Sequence, residues 1–171
     1  MKVVILAGGF GTRLSEYTET IPKPMVPIGN MPIIHHIMNI YADYGHKDFY
    51  IALGYKGEII KDYFKKQIKD WKINLIDTGS STLTGGRVKR LKKYLSEETF
   101  FLTYGDGLSD ININSLLKFH RAHKKSITIT AVKPPARFGS LVLEESKIVK
   151  FQEKVQLENN WINGGFFVVE P

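Results

Sequence analysis

The chain has 171 residues, 43% of them hydrophobic, with no cysteine and a formal net charge of +7. This length allows a compact domain with a sizeable core, and the ordinary composition excludes disordered and fibrous classes. The lack of cysteine excludes disulfides, thiolate metal sites and a thiol nucleophile. No signal-peptide pattern opens the chain and no apolar run could span a bilayer, so we expect a cytoplasmic protein without membrane attachment.

Alternating apolar and amphipathic segments predict βαβ units with a mostly parallel sheet. Strands are expected at 2–7, 48–53, 71–76, 100–104 and 127–132, and helices at 32–44, 57–69, 86–94 and 112–123. Short apolar runs at 141–143, 148–151 and 166–169 predict a small antiparallel extension near the C-terminus. The predicted fold class is therefore α/β and Rossmann-like, with a mostly parallel sheet flanked by helices.

Basic residues are concentrated at 65–66, 89–93 and 120–125. Such runs could attract nucleic acid, but they are more often solvated faces of helices. They are not interleaved with the aromatic side chains that RNA-binding sheets use for stacking. We therefore expect no nucleic-acid partner, and a positive field would also suit an enzyme with anionic substrates.

The segment AGGFGTRL, residues 7–14, follows the first predicted strand directly. Its spacing matches neither the Walker A motif nor G-x-G-x-x-G. Glycines let the backbone approach a ligand closely and present N–H groups to an anion. Arg13 adds a charge suited to phosphate. We favour a phosphate-binding loop over a simple connecting turn, because open α/β sheets bind ligands at the carboxyl ends of their strands.

Two further charged residues sit in short motifs. Lys23 stands between Pro22 and Pro24, which restrict the backbone and pre-order its charge. Asp106 lies between two glycines after an apolar strand, where Mg²⁺ could bind one carboxylate and substrate phosphates. The alternatives are an exposed loop lysine and an ordinary Asp-Gly turn.

Three other polar segments are weaker signals. TGGR, residues 84–87, could hold a base or phosphate, or could be an ordinary helix entry. The segments 152–154 and 161–165 offer groups for a hydroxyl-rich phosphorylated ligand, or are two hairpin turns. The histidines lack zinc-ligand spacing, and His35 and His36 are expected to be structural.

Taken in order, AGGFGTRL, PKPM, TLTGGR, YGDG, PPARFG, FQEK and WINGGFFVVEP resemble motifs of the sugar-phosphate nucleotidylyltransferases over the whole chain. TGGR, PPARFG and WINGGFF resemble the cytidylyl branch. The resemblance implies one nucleotidyltransferase domain over 1–171, Mg²⁺ as cofactor, and CTP and glucose 1-phosphate as substrates that give CDP-glucose and pyrophosphate. It also implies a homo-oligomer that supplies activated sugar for lipopolysaccharide O-antigen synthesis.

The resemblance also implies residue roles. The nucleotide would be bound by Leu6, Gly8, Gly9, Gly11, Thr12, Arg13, Lys23, Thr84, Gly86 and Arg87, with Arg13 and Lys23 as the catalytic cations. Asp106 would hold the metal. The sugar phosphate would be bound by Gly139, Glu153, Lys154 and Asn163.

Two departures from the family pattern keep alternatives open. Family members continue beyond the position of Pro171 and there carry a further acidic metal ligand, so we expect this chain to lack the C-terminal part of the family fold. The connection between Phe64 and Asp77 is also shorter than in the cytidylyl branch, where it reaches a neighbouring subunit. The alternatives are a transferase that uses dTTP or UTP, and a non-catalytic module that binds nucleotide or sugar phosphate.

Overall fold

The computed structural model describes residues 1–11, 20–65, 70–134, 140–152 and 161–171. These residues form two compact units. The first comprises Met1–Ile129 and Gly165–Pro171, and the second comprises Thr130–Gly164. Within the described ranges, no helix has the length and apolar character needed to cross a membrane. The single-domain organisation stays a prediction.

The main sheet is built around the first strand of the chain. Its strands are β1 (Lys2–Leu6), β4 (Asp48–Leu53), β5 (Lys72–Asp77), β6 (Phe100–Tyr104), β7 (Ile127–Val132) and β10 (Ile162–Val169), and their order is β5-β4-β1-β6-β10-β7. Two short strands, β2 (Pro27–Ile28) and β3 (Met31–Pro32), form a separate antiparallel pair. β1 pairs in parallel with β4 on one side and β6 on the other, and β4 pairs in parallel with β5. The strands β4 and β5 therefore lie on one side of β1, and β6 lies on the other side. The strand order reverses between β1 and β6, and open α/β sheets bind ligands at such a switch point.

Helices cover both faces of this sheet. They are α1 (Ile33–Asp43), α2 (Gly57–Phe64), α3 (Thr84–Arg90), α4 (Lys92–Leu95) and α5 (Ile113–His123). One face packs Ile5 of β1 against α1, α2 and α5, through residues such as Ile37 and Leu117. The other face packs Val4 against Leu95 of α4. The alternation of buried side chains along β1 fills both layers at once, as expected of a strand buried on both faces.

The parallel strands and the helices α1 and α5 lie within one residue of their expected bounds, and the other two expected helices differ more. The helix expected over 86–94 begins at Thr84 and divides at Leu91, whose N–H bonds to the Val88 carbonyl in a tighter turn. The helix expected over 57–69 is described as far as Phe64, and residues 66–69 lie outside the described ranges. Asn112 caps α5, and its side chain accepts a hydrogen bond from the Ser115 N–H at 2.9 Å.

The strand near the C-terminus lies inside the main sheet. β10 pairs antiparallel with β6, with Phe167 opposite Leu102. Phe166 and Val168 pack into one core layer, and Phe167 packs into the other. In the second unit, β8 (Ser140–Glu144) and β9 (Lys147–Gln152) form an antiparallel pair. The expected α/β class, a mostly parallel sheet with antiparallel strands near the C-terminus, is confirmed.

Candidate active site

The glycine-rich loop leaves the carboxyl end of β1 and is tied to the neighbouring strand. The Ala7 N–H bonds to the Ala52 carbonyl at 3.0 Å, and the Tyr55 N–H bonds to the Gly8 carbonyl at 3.1 Å. Gly8 is buried, whereas Gly9 is exposed. Gly11 has a φ of 66°, a conformation that glycine adopts at low cost. The loop thus presents backbone to the space above the strand end.

Lys23 is positioned by a short 3-10 turn, Lys23–Met25, which begins after Pro22. The turn packs against the end of β6, because a Cβ on Gly105 would lie 2.9 Å from the ring of Pro24. The Gly105 N–H in turn bonds to the Leu6 carbonyl at 2.9 Å. Proline ring and glycine backbone therefore fit together, which fixes Lys23 beside the switch point.

Lys23 and Asp106 form an ion pair in this structure. The Lys23 Nζ lies 2.6 Å from the Asp106 Oδ2, and the two side chains are 28% and 35% exposed. Both therefore remain open to solvent and to a ligand. The sequence suggested separate roles for the two residues, and the structure places them in direct contact.

The opposite wall of the site is the loop from Thr78 to Leu83 and the first turn of α3. Arg87 reaches back from α3 and is 4% exposed. Its two terminal nitrogens, which carry four N–H groups, lie within hydrogen-bond distance of five acceptors, at 2.7 to 3.1 Å: the Thr78 hydroxyl and the carbonyls of Gly8, Leu53, Gly79 and Ser80.

The guanidinium of Arg87 is buried, and two neighbouring charges act on it in opposite directions. Burial is the main cause that lowers the pKa of Arg87 below its ordinary value, the charge of Arg90 lowers it further, and Asp77 acts in the opposite direction. The guanidinium still remains charged at neutral pH.

These elements enclose a cleft of about 290 Å³ within the first unit. Of the predicted site residues, it is lined by Leu6, Gly8, Gly9, Gly11, Lys23, Thr84, Arg87 and Asp106. Gly86 packs against Thr82, since a Cβ there would lie 2.8 Å from its methyl group. The structure therefore brings most of the predicted nucleotide and metal residues of this unit together.

Several other predicted residues cannot be placed in the cleft. Thr12, Arg13, Gly139, Glu153 and Lys154 lie outside the described residues. Asn163 is described on β10, in the part of that strand that belongs to the second unit. The roles expected for these residues stay predictions.

The sequence interpretation missed part of the cleft wall. Ser80, Ser81 and Thr82 line it together with Leu83 and Tyr104. A run of three hydroxyl residues, separated from TGGR only by Leu83, could have signalled this wall, because hydroxyl groups can hydrogen-bond to phosphate or ribose.

Comparison with known proteins defines the class. A sequence model for the family described as Nucleotidyl transferase matches residues 2–171, and the chain belongs to this family. It is 46% identical to the glucose-1-phosphate cytidylyltransferase of Salmonella typhi, over the whole of this chain and 76% of the relative. It is 43% identical to a probable glucose-1-phosphate cytidylyltransferase of Bacillus subtilis, again over the whole chain and 75% of the relative.

Solved structures agree with this fold. HddC from Yersinia pseudotuberculosis, in complex with GMP-PN, has a TM-score of 0.72 at 30% identity, over 99% of this chain and 76% of that one. UDP-glucose pyrophosphorylase in complex with UDP-glucose has a TM-score of 0.70 at 21% identity, over 99% and 76% of the two chains, and this supports the fold alone.

Proposed function

We propose that the protein transfers a cytidylyl group from CTP to α-D-glucose 1-phosphate, giving CDP-glucose and pyrophosphate. The observation that carries this proposal is the convergence of the glycine-rich loop, Lys23 and Asp106 on one cleft at the switch point of the sheet. Backbone N–H groups and fixed cations are what a triphosphate requires. The identity of 43% and 46% to relatives named for this reaction supports the choice of nucleotide and sugar.

The reaction requires little covalent chemistry of the protein, because the bonds that form and break belong to the two substrates. An oxygen of the sugar phosphate forms a bond to the α-phosphorus of CTP while the bond from that phosphorus to the bridging oxygen of pyrophosphate breaks. The electron pair of the broken bond leaves with pyrophosphate. Catalysis would then come from positioning and charge stabilisation. Lys23 would neutralise charge around the α-phosphate and the leaving group, together with Arg13.

Asp106 is the residue that would hold a divalent metal, which nucleotidyl transferases generally use. We propose Mg²⁺, because it commonly binds one or two carboxylates together with substrate phosphates. Asp106 is the one carboxylate among the described residues that line the cleft, which fits that pattern. Among the described residues, no group of three acidic, histidine or cysteine side chains could hold a metal. Substrate phosphate oxygens and water would be further ligands of the ion beside Asp106. When bound, the ion supplies charge stabilisation to the reacting phosphates.

The sugar side of the site is proposed from the family resemblance. Glu153 and Asn163 would bind sugar hydroxyls with Gly139, and Lys154 would bind the sugar phosphate. We also propose a cytoplasmic homo-oligomer that acts in O-antigen nucleotide-sugar synthesis. Sedimentation of the purified protein with and without CTP tests the assembly.

The activity is tested by incubating the protein with Mg²⁺, glucose 1-phosphate and one nucleotide at a time, and by measuring pyrophosphate and the sugar nucleotide. CTP, dTTP, UTP and GTP form the panel, since similar proteins carry names for several nucleotides. We expect CTP to give the highest kcat/KM and CDP-glucose as product. Faster turnover with another nucleotide would reassign the base. Binding of CTP without pyrophosphate release from any nucleotide would favour a non-catalytic module.

A further inference from the structure

The second unit exposes a tryptophan immediately before β10. Trp161 is 61% exposed, whereas Trp71, the other tryptophan of the chain, is 8% exposed and packs in the core. An indole offers a large, rigid apolar surface, and its burial against a ligand is favourable. Single exposed apolar side chains are common on protein surfaces, so the neighbours of Trp161 decide whether it forms a site.

Lys133 lies over the indole ring of Trp161. Its Nζ is 5.2 Å from the ring centroid. Lys133 directly follows β7 and Trp161 directly precedes β10, and these two strands are neighbours in the sheet. The strands approach closely at Gly164, where a Cβ would lie 2.7 Å from the Cγ1 of Val132 and 3.2 Å from the Thr130 carbonyl oxygen. Because a cation over an indole is attracted by the ring, Lys133 favours one orientation of Trp161.

Asn163 follows Trp161 by two residues. Side chains alternate between the two sides of an extended chain, so Trp161 and Asn163 lie on one side and Ile162 on the other. A hexose presents hydroxyl groups around its rim and C–H groups on the faces of its ring. An indole can pack against such a face while an amide hydrogen-bonds to a hydroxyl, and this mixture of aromatic and polar groups is typical of small-molecule sites.

We propose that Trp161 binds the pyranose ring of the sugar phosphate, with the indole packed against the C–H groups of one face, and that Lys133 is a positioning residue that holds the indole. The inference rests on the proposed function for the identity of the sugar phosphate. It assigns a role to two residues of the second unit that the sequence motifs did not single out for sugar binding.

The stereochemistry of the substrate gives this contact a consequence for specificity. In α-D-glucose 1-phosphate the phosphate is axial on one face of the ring, and only C–H groups project axially from the opposite face. In α-D-galactose 1-phosphate an axial hydroxyl projects from that opposite face. Packed against an indole, this hydroxyl would lose its hydrogen bonds to water without gaining a partner, so Trp161 selects glucose over galactose.

The experiment follows the fluorescence of Trp161 in the Trp71→Phe background, where it is the sole tryptophan. Two pairs of ligands separate sugar from phosphate: CDP-glucose against CDP, and glucose 1-phosphate against inorganic phosphate. Calorimetry measures the affinities of Trp161→Ala, Trp161→Phe, Lys133→Met and Lys133→Arg, and it needs no change at Trp71. Lys150→Met is the matched control, because Lys150 is an exposed lysine of the same unit.

We expect CDP-glucose and glucose 1-phosphate to change the fluorescence, and CDP and inorganic phosphate to leave it unchanged. Trp161→Ala should weaken glucose 1-phosphate binding about fivefold to tenfold, the scale of an aromatic contact, and should reduce the preference over galactose 1-phosphate. Trp161→Phe should lose about twofold, since a smaller ring remains. Lys133→Met should lose about two- to fivefold, whereas Lys133→Arg, which keeps a cation over the ring, should match wild type. Lys150→Met should have no effect, and the CDP affinity of all variants should stay unchanged.

Three results would overturn the proposal. Binding of CDP-glucose without a fluorescence change, or with wild-type affinity in Trp161→Ala, would remove Trp161 from the sugar site. Equal losses in Lys133→Met and Lys133→Arg would mean that Lys133 does not act through the ring. A change of sedimentation in Trp161→Ala with unchanged sugar affinity would assign the indole to a contact between copies of the chain. If wild-type protein binds neither CDP-glucose nor glucose 1-phosphate, the proposed function itself fails, and this ligand with it.

Discussion

The carboxyl edge of the main sheet, where its parallel strands end, and the amino edge, where they begin, both carry polar side chains. The surroundings of these side chains differ between the two edges. At the carboxyl edge, Lys23 and Asp106 are partly exposed and line a cleft of about 290 Å³. At the amino edge of β6, His120 is 1% exposed and bonds to Thr128 and Glu170. The paired side chains at the first edge stay partly exposed and line the cleft, whereas the histidine at the second edge is buried among its partners.

The hydrogen bonds at the amino edge form a chain in one direction. The Lys125 N–H donates to the His123 Nδ1, so we assign the proton of His123 to Nε2, which donates to the Thr128 hydroxyl at 2.7 Å. That hydroxyl donates to the His120 Nδ1 at 2.8 Å, and the His120 Nε2–H donates to Glu170 at 2.8 Å. Each donor in this chain has an acceptor, which is how buried polar groups stabilise a fold.

The comparison teaches that residue types alone do not identify a site. Many catalytic sites combine a histidine, a hydroxyl residue and a carboxylate. Here His120 hydrogen-bonds to Thr128 and Glu170, and these contacts stabilise the fold. The cleft instead combines backbone amides and cations at an open strand end, which is the arrangement that suits an anionic ligand.

The largest effect is expected for Lys23→Met. Turnover should fall by about 10²- to 10³-fold, as on loss of a group that stabilises transition-state charge, while CTP affinity changes far less. Pyrophosphate release and CTP calorimetry measure the two quantities. Lys47→Met is the control, because Lys47 pairs with the exposed Asp70 on the surface. Equal losses of turnover and affinity would assign Lys23 to uniform binding instead.

A smaller loss is expected for Asp106→Asn. Removal of the carboxylate charge should reduce activity by about tenfold to 10²-fold and raise the Mg²⁺ concentration needed for half-maximal rate, so that added Mg²⁺ partly restores turnover. Asp110→Asn, an exposed position nearby, should leave the Mg²⁺ dependence unchanged. An identical Mg²⁺ dependence in Asp106→Asn and wild type would count against Asp106 as a ligand.

For the Lys23–Asp106 ion pair we predict a gain instead of a loss: removal of the lysine should strengthen metal binding. Without nucleotide, the Lys23 Nζ lies 2.6 Å from the Asp106 Oδ2, so a metal that binds this oxygen must displace the ammonium group. Lys23→Met should therefore bind Mn²⁺ about two- to fivefold more tightly in the absence of nucleotide, the scale of an exposed ion pair. Electron paramagnetic resonance of free Mn²⁺ measures this, with Lys47→Met again as control. Unchanged or weaker Mn²⁺ binding would show that the pair does not compete with metal.

The smallest effect on activity is expected at the amino edge. Hydrogen bonds from His120 and then Thr99 lower the pKa of Glu170 below its ordinary value of 4.5. Because the folded-state pKa is the lower one, this stabilisation is present above pH 4.5 and is lost as the pH falls below it. Glu170→Gln should lower stability at pH 7 by less than about 1 kcal/mol, since the carboxylate is 45% exposed.

Thermal unfolding of wild type and Glu170→Gln across pH 3 to 8 checks this prediction. The difference between the two proteins should shrink at acidic pH, while kcat/KM near neutral pH stays at the wild-type value. A large loss of kcat/KM without loss of stability would show that the amino edge takes part in function.

Much of the cleft could be predicted from the sequence because its parts follow strands directly. The glycine-rich loop and Asp106 each come after an apolar run, and parallel strand ends meet at one edge of a sheet. The bonding of Arg87 could not be predicted, since its acceptors Gly8 and Leu53 lie 79 and 34 residues away. The place of β10 was equally inaccessible, because an apolar run indicates a buried strand without giving its neighbours.

The central claim is that nucleotide binds at the carboxyl edge of the sheet. Amide hydrogen exchange with and without saturating CTP and Mg²⁺ tests it directly. The account predicts protection in peptides that cover 6–11, 78–87 and 104–107, with no change in 120–128 or 166–171. Protection at the amino edge, or no protection in the cleft peptides despite measured CTP binding, would contradict it.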